Sequence, residues 1–521
     1  MIRAAARLAL VAATLGGAVI AADCAARRDA PPAASPAAPS APVVPSPPVA
    51  PVAPVAQVAP TPTDRLRSTI TSIVNRPGVQ RGAWGIVVHS LTRDERLFEL
   101  NPRTLLVPAS TAKMVSAATA AEAVGWDYRF ETTLRATGPV VDGVLRGDLV
   151  VTGSGDPSIG GRGGDSLDVF VNAVKAAGIR RIDGRVIGDD DAIEEPRPQL
   201  AWAWDDLGYT TGSIFGALNL AENKMTVTVT PAMAEGAPTT LSVDPAAAAR
   251  PLANRSVTGR PGSPAFIWPE QRPGEAFLTI AGSLPAGTQP ARLAISSGNP
   301  TFWFAGVLRS NLQRAGIEVT GEAFDVDDVS PKPDASAATT LFTYRSHPFS
   351  EIVQPMLKES INLYGEAAMR LNAARGVFPT NDAALEGLRA RLASWGVAAD
   401  GQQLVDGSGL SRRDVISPDT LLIVLRHMYA AGPTSPFVTA LPIAGVDGSL
   451  ESRMTGTSAQ RNVRAKTGTM SNIRSLAGYV TTRDGEPLAF AIMVNNFEGP
   501  GAGAVQAIDA IAVALADFSR N

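Results

Sequence analysis

The sequence predicts an α+β fold in which an antiparallel sheet flanked by helices is interrupted by a large mixed α/β insertion. Apolar residues recur at helical spacing near both ends of the folded sequence, at Leu66, Ile70 and Ile73 and again from Val505 to Phe518. Strand patterns joined by short turns lie between these end helices, which favours a sheet with helices on its faces. From about residue 128 to residue 344 the pattern changes to short strands with many turns, which indicates the insertion.

The composition is that of a globular protein and excludes several classes of function. The chain has 521 residues, of which 45% are hydrophobic and 18% charged, and its formal net charge is −3. Because there is no basic excess, a nucleic-acid partner is not expected. The single cysteine, Cys24, leaves the folded part without a disulfide or a thiolate metal site, and His89, His347 and His427 lack the spacing of a zinc pair. We therefore expect neither a metal nor a cofactor.

The N-terminal part of the chain is typical of an exported protein. In residues 1–26, arginines precede an apolar run from Leu8 to Ala22 that is short for a membrane span but suits a signal core; a membrane anchor is the alternative. Cys24 would suit lipidation, but Asp23 stands where a small residue is expected before a lipidated cysteine. Residues 27–62 are rich in Pro and Ala and predict an extended tether. These segments predict a periplasmic location.

The folded sequence divides into one discontinuous domain and its insertion. Residues 63–127 and 345–521 are assigned to the sheet-and-helix domain, and residues 128–344 to one or two inserted subdomains. The strands predicted for the domain are Ala83–His89, Leu97–Leu100, Val463–Thr469, Leu476–Thr482 and Leu488–Asn495. Its internal helices are predicted from Ser110 to about Gly125, over Asn362–Ala373 and Asp382–Trp395, and from Ser417-Pro418 onward. The insertion has predicted helices at Leu167–Gly178 and Phe304–Ala315 and a predicted strand at Met225–Val229.

Ser110 and Lys113 form a Ser-x-x-Lys pattern at the start of an alanine-rich helix. Because Pro108 can precede a helix but not lie inside it, Ser110 falls on the first turn and Lys113 lies over the same face. A serine hydroxyl needs a base beside it to act as a nucleophile. A lysine can be that base if burial and the helix dipole lower its pKa. The alternative is an ordinary helix start with an exposed lysine, and only further motifs decide between the two.

Two further motifs follow in the C-terminal part of the chain. Ser360-Ile361-Asn362 stands just before a helix, where serine and asparagine are also favoured as caps. Lys466-Thr467-Gly468-Thr469 lies in a predicted strand, and a glycine there often marks a place where something approaches the backbone closely. The alternative for the second motif is a strand end with a solvated lysine.

In this order, the three motifs resemble those of the penicillin-recognising serine acyl-transferases. Four segments narrow the resemblance to the low-molecular-mass class C penicillin-binding proteins, peptidase family S13: Pro108–Thr111, Asp406–Arg412, Ala444–Leu450 and Ala465–Thr469. The wide separation of Ser110 from Ser360 is also typical of this family, which carries a large insertion there. The resemblance covers about residues 64–520. It implies a serine β-lactamase/transpeptidase-like domain with D-alanyl-D-alanine carboxypeptidase and endopeptidase activity.

The resemblance implies the roles of the first two motifs in catalysis. Ser110 would attack the carbonyl carbon between two D-alanines, and Lys113, neutral in the resting enzyme, would accept the proton of its hydroxyl. Ser360 would relay a proton to the departing D-Ala nitrogen. Water would then cleave the acyl-enzyme, so that no metal is required.

The remaining motif residues are implied to bind the substrate. Asn362 would bind a substrate amide, and Lys466, carrying its charge, would hold the terminal carboxylate. Thr467 and Gly468 would line the same site. The backbone N–H groups of Thr469 and of the nucleophile would form the oxyanion hole, which is usually the largest contribution in acyl transfer.

One acidic and one basic residue extend the implied site. Trp202-Ala203-Trp204-Asp205-Asp206 resembles the insertion segment whose acidic residue reaches the active site in this family, and by position we assign that residue to Asp206. Arg412, after Gly-Leu-Ser, resembles its basic counterpart. Together they suit the ammonium and carboxylate of a diaminopimelate side chain. For Asp206 a surface turn carboxylate is an equal alternative.

The implied partners are peptidoglycan peptides ending in D-Ala-D-Ala, with β-lactams as covalent inhibitors and with peripheral membrane association left open. Two other functions compete with this prediction. A β-lactamase or esterase of the same fold lacks the long insertion, and a non-catalytic penicillin-binding cell-wall module has no need of nucleophile and base together. The sequence leaves open whether the enzyme prefers carboxypeptidase or endopeptidase substrates.

Overall fold

Helices and strands are both present in residues 59–334 and 337–521, which are the residues that this computed structural model describes. The helices are α1 (Pro62–Val74), α2 (Ala112–Val124), α3 (Asp168–Ala176), α4 (Pro300–Arg314), α5 (Phe349–Lys358), α6 (Asn362–Arg370), α7 (Asn381–Ser394), α8 (Pro418–Tyr429), α9 (Pro436–Ala440) and α10 (Ala502–Asp517). The predicted export signal, Cys24 and nearly all of the predicted tether lie outside the described residues.

The strands of the described residues range from two to nine residues in length. They are β1 (Ala83–Ser90), β2 (Glu95–Leu100), β3 (Glu131–Ala136), β4 (Val140–Val141), β5 (Val144–Leu145), β6 (Leu149–Thr152), β7 (Arg181–Ile182), β8 (Val186–Asp189), β9 (Lys224–Thr230), β10 (Thr240–Val243), β11 (Leu252–Gly259), β12 (Phe266–Glu270), β13 (Leu278–Pro285), β14 (Ala291–Ser296), β15 (Glu318–Val319), β16 (Ala323–Asp325), β17 (Thr339–Arg345), β18 (Gln402–Gln403), β19 (Val415–Ile416), β20 (Arg464–Met470), β21 (Ile473–Thr481) and β22 (Pro487–Asn495).

The predicted antiparallel sheet is present and combines strands from both ends of the chain. Its order is β2-β1-β22-β21-β20, and every neighbouring pair is antiparallel. The N-terminal hairpin β1–β2 therefore pairs with the C-terminal strands, and residues 59–521 form one compact unit. Strand β20 is an edge strand of this sheet, so most of its outer backbone N–H and C=O groups do not pair with another strand of the sheet.

Strand β22 shows how the sheet supports two cores. Leu488, Phe490, Ile492 and Val494 are fully buried on the face that packs with α1 and α10. The alternate positions Ala489, Ala491 and Met493 belong to the core on the other face, which includes α2 and α8. Successive side chains of a strand point to opposite faces, so one strand serves both cores. Each large side chain that is buried in this way contributes about 1.5–3 kcal/mol to folding.

The segment between β3 and β17 has the mixed α/β character that was predicted for the insertion. One of its sheets has the order β16-β8-β6-β3-β17, in which β16, β8 and β6 are parallel and the remaining pairs are antiparallel. The other sheets are β15-β7-β5-β4, β10-β9-β14 and β11-β13-β12. Helices α3 and α4 pack on these sheets in a separate hydrophobic core. The predicted boundaries of the insertion, at residues 128 and 344, remain a prediction.

The start of α4 and the end of α6, at Arg370 rather than at Ala373, differ from the sequence prediction, and α5 was not predicted. Helix α4 begins at Pro300 rather than near Phe304, because the Asn299 side chain caps it by accepting a hydrogen bond from the Phe302 N–H. Helix α5 contains Pro355, which signals a helix break in the sequence, yet the residue is buried inside the helix. None of the described helices is long and apolar enough to cross a membrane.

Candidate active site

The nucleophile turn is a 3₁₀ turn, Ala109–Thr111, that leads directly into α2. Ala109 has a φ of 48°, in the left-handed region that a residue with a Cβ seldom adopts. The turn also fits closely against its neighbours, because a Cβ at Gly409 would lie 2.0 Å from the Ala109 carbonyl oxygen. Contacts of this kind hold a strained turn in place, which is typical of active sites.

Ser110 and Lys113 are in direct contact. The Lys113 Nζ lies 2.8 Å from the Ser110 Oγ, 2.6 Å from the Asn362 Oδ1 and 2.7 Å from the Ser408 carbonyl oxygen. The side chain of Lys113 is fully buried, whereas Ser110 is partly exposed. The lysine is therefore fixed by three acceptors while the serine remains accessible to a substrate.

Two carboxylates that were not predicted from the sequence support the loop beside Lys113. Glu366 accepts hydrogen bonds from the N–H groups of Gly407 and Ser408, at 3.2 Å and 2.9 Å. Asp406 accepts hydrogen bonds from the N–H groups of Ser408, Gly409 and Ser411, at 2.6–3.0 Å. These bonds orient the Ser408 peptide, whose carbonyl oxygen in turn contacts the lysine.

Burial and the acidic neighbours together set the pKa of Lys113. Complete burial lowers it, and the charges of Asp406, Glu366 and Asp414 partly restore it, so that the pKa is about 7. Burial and the nearby Asp406 charge raise the pKa of Glu366, and burial raises that of Asp414 well above its usual value. A lysine with this pKa can accept a proton at neutral pH.

Ser360 and Lys466 form a second serine–lysine pair. The Lys466 Nζ donates to the Ser360 Oγ at 2.8 Å and to the Thr467 carbonyl oxygen at 2.9 Å. Ser360 has a φ of 64°, in the left-handed region. Burial lowers the pKa of Lys466 well below its usual range, and the charge of Lys113 lowers it further. No carboxylate among the described residues forms an ion pair with Lys466, whose Nζ bonds only to neutral oxygens, and the charged Lys466 expected from the sequence stays a prediction.

The Lys466-Thr467-Gly468-Thr469 motif lies on the outermost strand, β20. Thr467 is buried and its Oγ1 donates to the Ser449 Oγ at 2.7 Å, whereas Thr469 is exposed. A Cβ at Gly468 would lie 2.1 Å from the Ser475 Oγ and 2.5 Å from the Pro108 carbonyl oxygen. The close approach expected at this glycine is therefore made by the nucleophile turn itself.

Asn362 joins the catalytic lysine to the insertion. Its Oδ1 accepts from Lys113, and its Nδ2 donates to the Thr211 carbonyl oxygen at 2.8 Å. Both ends of the amide are therefore bonded within the protein. The sequence suggested only a contact with the substrate for this residue.

The inserted segment that contains Asp206 makes two further contacts with residues 406–411, the loop beside Lys113, which is called the catalytic loop below. The Trp202 Nε1 donates to the Asp406 Oδ2 at 2.8 Å, and the Ser411 Oγ donates to the Leu200 carbonyl oxygen at 2.9 Å. Asp206 is partly buried, and burial raises its pKa while the charge of Arg412 lowers it. Arg412 is exposed. These two residues thus lie near enough to interact, beside the contacts that join the insertion to the site.

Glu366 has a sequence signal that could have identified it. It stands four residues after Asn362 on α6 and so lies on the same helix face. Asp406 is part of a segment that carried the resemblance, but its partners come from distant parts of the chain. Among the described residues, the acidic groups close enough to hold a metal lie elsewhere, at the ends of β8 and β16.

Comparisons with known proteins agree with this geometry. Residues 66–517 match the family described as D-Ala-D-Ala carboxypeptidase 3 (S13). A D-alanyl-D-alanine carboxypeptidase from an Actinomadura species is 33% identical over 469 residues, which is 88% of this chain and 85% of that protein. D-alanyl-D-alanine carboxypeptidase DacB from Haemophilus influenzae is 26% identical over 420 residues, 79% of this chain and 85% of that protein. The crystal structure of penicillin binding protein 4 (dacB) from Haemophilus influenzae has a TM-score of 0.75 at 24% identity, with 86% of this chain and 99% of that chain covered.

Proposed function

The chain belongs to the D-Ala-D-Ala carboxypeptidase 3 (S13) family, and we propose that Ser110 is its nucleophile and Lys113 its general base. The protein is a serine-type D-Ala-D-Ala carboxypeptidase with the fold of a serine β-lactamase/transpeptidase-like domain. One observation carries the assignment of the residues: the Nζ of a completely buried lysine lies 2.8 Å from the Oγ of an accessible serine.

The acylation step follows from this contact. Lys113 accepts the hydroxyl proton as the Ser110 Oγ bonds to the carbonyl carbon of the penultimate D-Ala. The N–H groups of Ser110 and Thr469 stabilise the negative charge that develops on the carbonyl oxygen. The C–N bond then breaks, and the departing nitrogen takes a proton that Lys113 passes through Ser360. Water hydrolyses the resulting ester and restores the Ser110 hydroxyl.

Strand β20 is the proposed binding edge for the substrate. Its outer edge beyond Lys466 can accept an extended peptide as an added strand, which is a common mode of peptide recognition. Lys466, Thr467 and Gly468 lie along this strand, and Thr469 presents its side chain to solvent. We assign the terminal carboxylate of the substrate to the Lys466 end of this edge.

The substrate carboxylate is proposed to favour the protonated form of Lys466. Burial and the charge of Lys113 lower its pKa. No carboxylate among the described residues forms an ion pair with it that would stabilise the protonated form. A substrate carboxylate supplies that opposite charge and raises the pKa. An amide in place of the carboxylate would not supply this opposite charge, so peptides with a free C-terminus should be the better substrates.

Asp206 and Arg412 are proposed to bind the charged side chain of the third peptide residue. Both lie beside contacts between the insertion and the catalytic loop, and their opposite charges match an ammonium and a carboxylate. Peptides with diaminopimelate should therefore be better substrates than peptides with an uncharged residue at that place. Asp206→Asn and Arg412→Gln, assayed with both peptides, should lose this preference. A preference that persists in both variants would contradict the assignment.

Release of D-Ala from a peptide that ends in D-Ala-D-Ala tests the proposed catalytic pair. The wild-type chain should release D-Ala steadily, whereas Ser110→Ala and Lys113→Ala should reduce release to background. Ser394→Ala is a matched control, since the Ser394 hydroxyl only caps the end of α7 by donating to Arg391. Unchanged turnover in Ser110→Ala would refute the assignment. Cross-linked muropeptides in the same assay measure endopeptidase activity.

The two competing functions receive less support. The family match, residues 66–517, includes the whole insertion, which the β-lactamase or esterase alternative lacks. The contact between Lys113 and Ser110 gives a pure binding module no advantage. Slow hydrolysis of benzylpenicillin, compared with fast acylation, is expected of a carboxypeptidase. Rapid turnover of the antibiotic without D-Ala release would favour the β-lactamase.

Export and anchoring belong to the same proposal. We infer that residues 1–26 direct the chain to the periplasm, where residues 27–62 leave it free or peripherally associated with the membrane and where peptidoglycan and β-lactams reach it. Charge, apolar length and the proline-rich composition support this. Fractionation with N-terminal sequencing should recover a processed periplasmic chain, and an unprocessed chain in the cytoplasm would contradict export.

A further inference from the structure

Acidic side chains gather where two parallel strands of the insertion end. Strands β8 and β16 are adjacent and parallel, so their carboxyl ends meet at one edge of the sheet. Asp190 follows β8 directly and Asp325 ends β16. One oxygen each from Asp190, Asp325 and Asp327 lies within 4.8 Å of the others, and the same holds for Asp190, Asp191 and Glu195. Asp190 belongs to both groups and is therefore central to the cluster.

Asp190, the residue shared by both groups, has one oxygen without a hydrogen-bond partner. The residue is only 1% exposed, and its Oδ2 accepts a hydrogen bond from the Thr301 hydroxyl. Its Oδ1 is buried and has no hydrogen-bond partner among the residues that the structure describes. A buried carboxylate oxygen without a donor or a cation is strongly unfavourable. A ligand that bears positive charge is the natural partner for this atom.

Protein cations do not balance the cluster. Within the described ranges, Lys332 is the cation that forms ion pairs with it, to Asp191 at 3.2 Å and to Asp327. Asp190 and Glu195 form no ion pair with a described lysine, arginine or histidine, and neither does Asp325. Five carboxylates thus share one lysine, which is itself largely exposed.

We propose that Asp190, Asp325 and Asp327 bind a calcium ion, with Asp191 and Glu195 at its exposed side. Carboxylate oxygens are the ligands of hard cations, and the cluster offers no imidazole or thiolate that would select a transition metal. Calcium takes about six to eight oxygen ligands in a flexible geometry, whereas magnesium keeps several waters and is usually held by only one or two carboxylates. The number of carboxylates in the cluster, five in all, therefore favours calcium.

The ion would connect three elements of the insertion. Asp190 joins it to β8, Asp325 to β16, and the bonds from Thr301 to Asp190 and from Asn299 to Asp325, the latter at 2.7 Å, extend the connection to the start of α4. A cation at this point neutralises the repulsion between the strand ends. Its expected role is therefore to stabilise the insertion rather than to take part in peptide hydrolysis.

Calorimetric titration of the full chain with calcium chloride, after dialysis against a chelator, tests the proposal. The wild-type chain should bind one calcium ion and unfold at a higher temperature in its presence, because a ligand that binds only the folded state stabilises it. Asp190→Asn and Asp325→Asn should lose at least tenfold in affinity and lose the thermal shift. Glu318→Gln, which changes an exposed carboxylate on β15, is the matched control and should keep both.

A second variant keeps the test decisive if the buried substitutions impair folding. Lys332→Gln removes the competing cation from the exposed side of the cluster, so calcium should bind several-fold more tightly than in the wild-type chain. Absence of binding heat and thermal shift in the wild-type chain would overturn the proposal. Binding that occurs only in Lys332→Gln would also overturn it, because Lys332 would then be the native counter-ion. Neither result depends on D-Ala release.

Discussion

At the scale of single residues, the pKa of Lys113 decides when the site can react. Burial and three acidic neighbours place it at about 7, and only the neutral amine can take the Ser110 proton. The rate of acylation by benzylpenicillin should therefore rise through pH 7 and level off above about pH 8, falling about tenfold per pH unit below the midpoint. Stopped-flow acylation between pH 5 and pH 9 measures this profile. Lys466→Ala should keep the same acidic limb, and loss of that limb would assign the base to Lys466.

Glu366 allows the charge near Lys113 to be separated from the support of the Ser408 loop. Burial raises the pKa of Glu366 to about 8, so its carboxyl group is mostly protonated through the acidic limb, and Glu366→Gln should leave both that limb and the plateau rate nearly unchanged. Glu366→Ala leaves the Gly407 and Ser408 N–H groups without an acceptor, at a cost of about 1–3 kcal/mol, and should lower the plateau. An acidic limb that moves to lower pH in the Gln variant would contradict this, because it would show that a charged Glu366 acts on the lysine below pH 7.

At the scale of elements, the packing of the nucleophile turn on β20 and β21 determines where the serine lies. The Ser475 Oγ donates to the Pro108 carbonyl oxygen at 2.7 Å, directly beside Gly468. Gly468→Ala would force the turn away from the strand, and a displacement of about 1 Å can reduce the rate about a hundredfold. Gly503→Ala, in α10 with no atom near the added methyl group, is the control. Equal acylation rates in the two variants would contradict this role of the packing.

At the scale of the whole molecule, the insertion and the catalytic loop are joined by a buried hydrogen bond. Trp202→Phe removes the bond from Nε1 to the Asp406 carboxylate while retaining most of the ring, and should lower the free energy of unfolding by about 1.5–3 kcal/mol. The acylation rate should fall too, since Asp406 orients the Ser408 peptide. Trp303→Phe is the matched control, because its buried Nε1 has no hydrogen-bond partner among the described residues. Urea denaturation that shows the same loss in both variants would contradict the coupling.

The sequence was sufficient wherever local pattern determines structure. The helical spacing of Leu66, Ile70 and Ile73 predicted α1. The side chains of β20 to β22 alternate between the two cores because successive residues of a strand point to opposite faces. The Ser110 and Lys113 contact follows from helix geometry alone, since residues three apart share a face.

The remaining features depend on contacts between distant parts of the chain. The bond from Asn362 to Thr211 and that from Lys113 to the Ser408 carbonyl oxygen each join segments that no local pattern relates. The depressed pKa of Lys466 likewise depends on what surrounds it in the fold. Pro355 shows the opposite case, in which tertiary packing overrides a local helix-breaking signal.

The central claim is that Ser110, held by Lys113, is the residue that becomes acylated. Intact-mass spectrometry of the chain after treatment with benzylpenicillin, followed by peptide mapping, tests it most directly. The account predicts one adduct per chain, located on the peptide that contains Ser110, and no adduct in Ser110→Ala. An adduct that persists in Ser110→Ala, or that maps to Ser360, would contradict it.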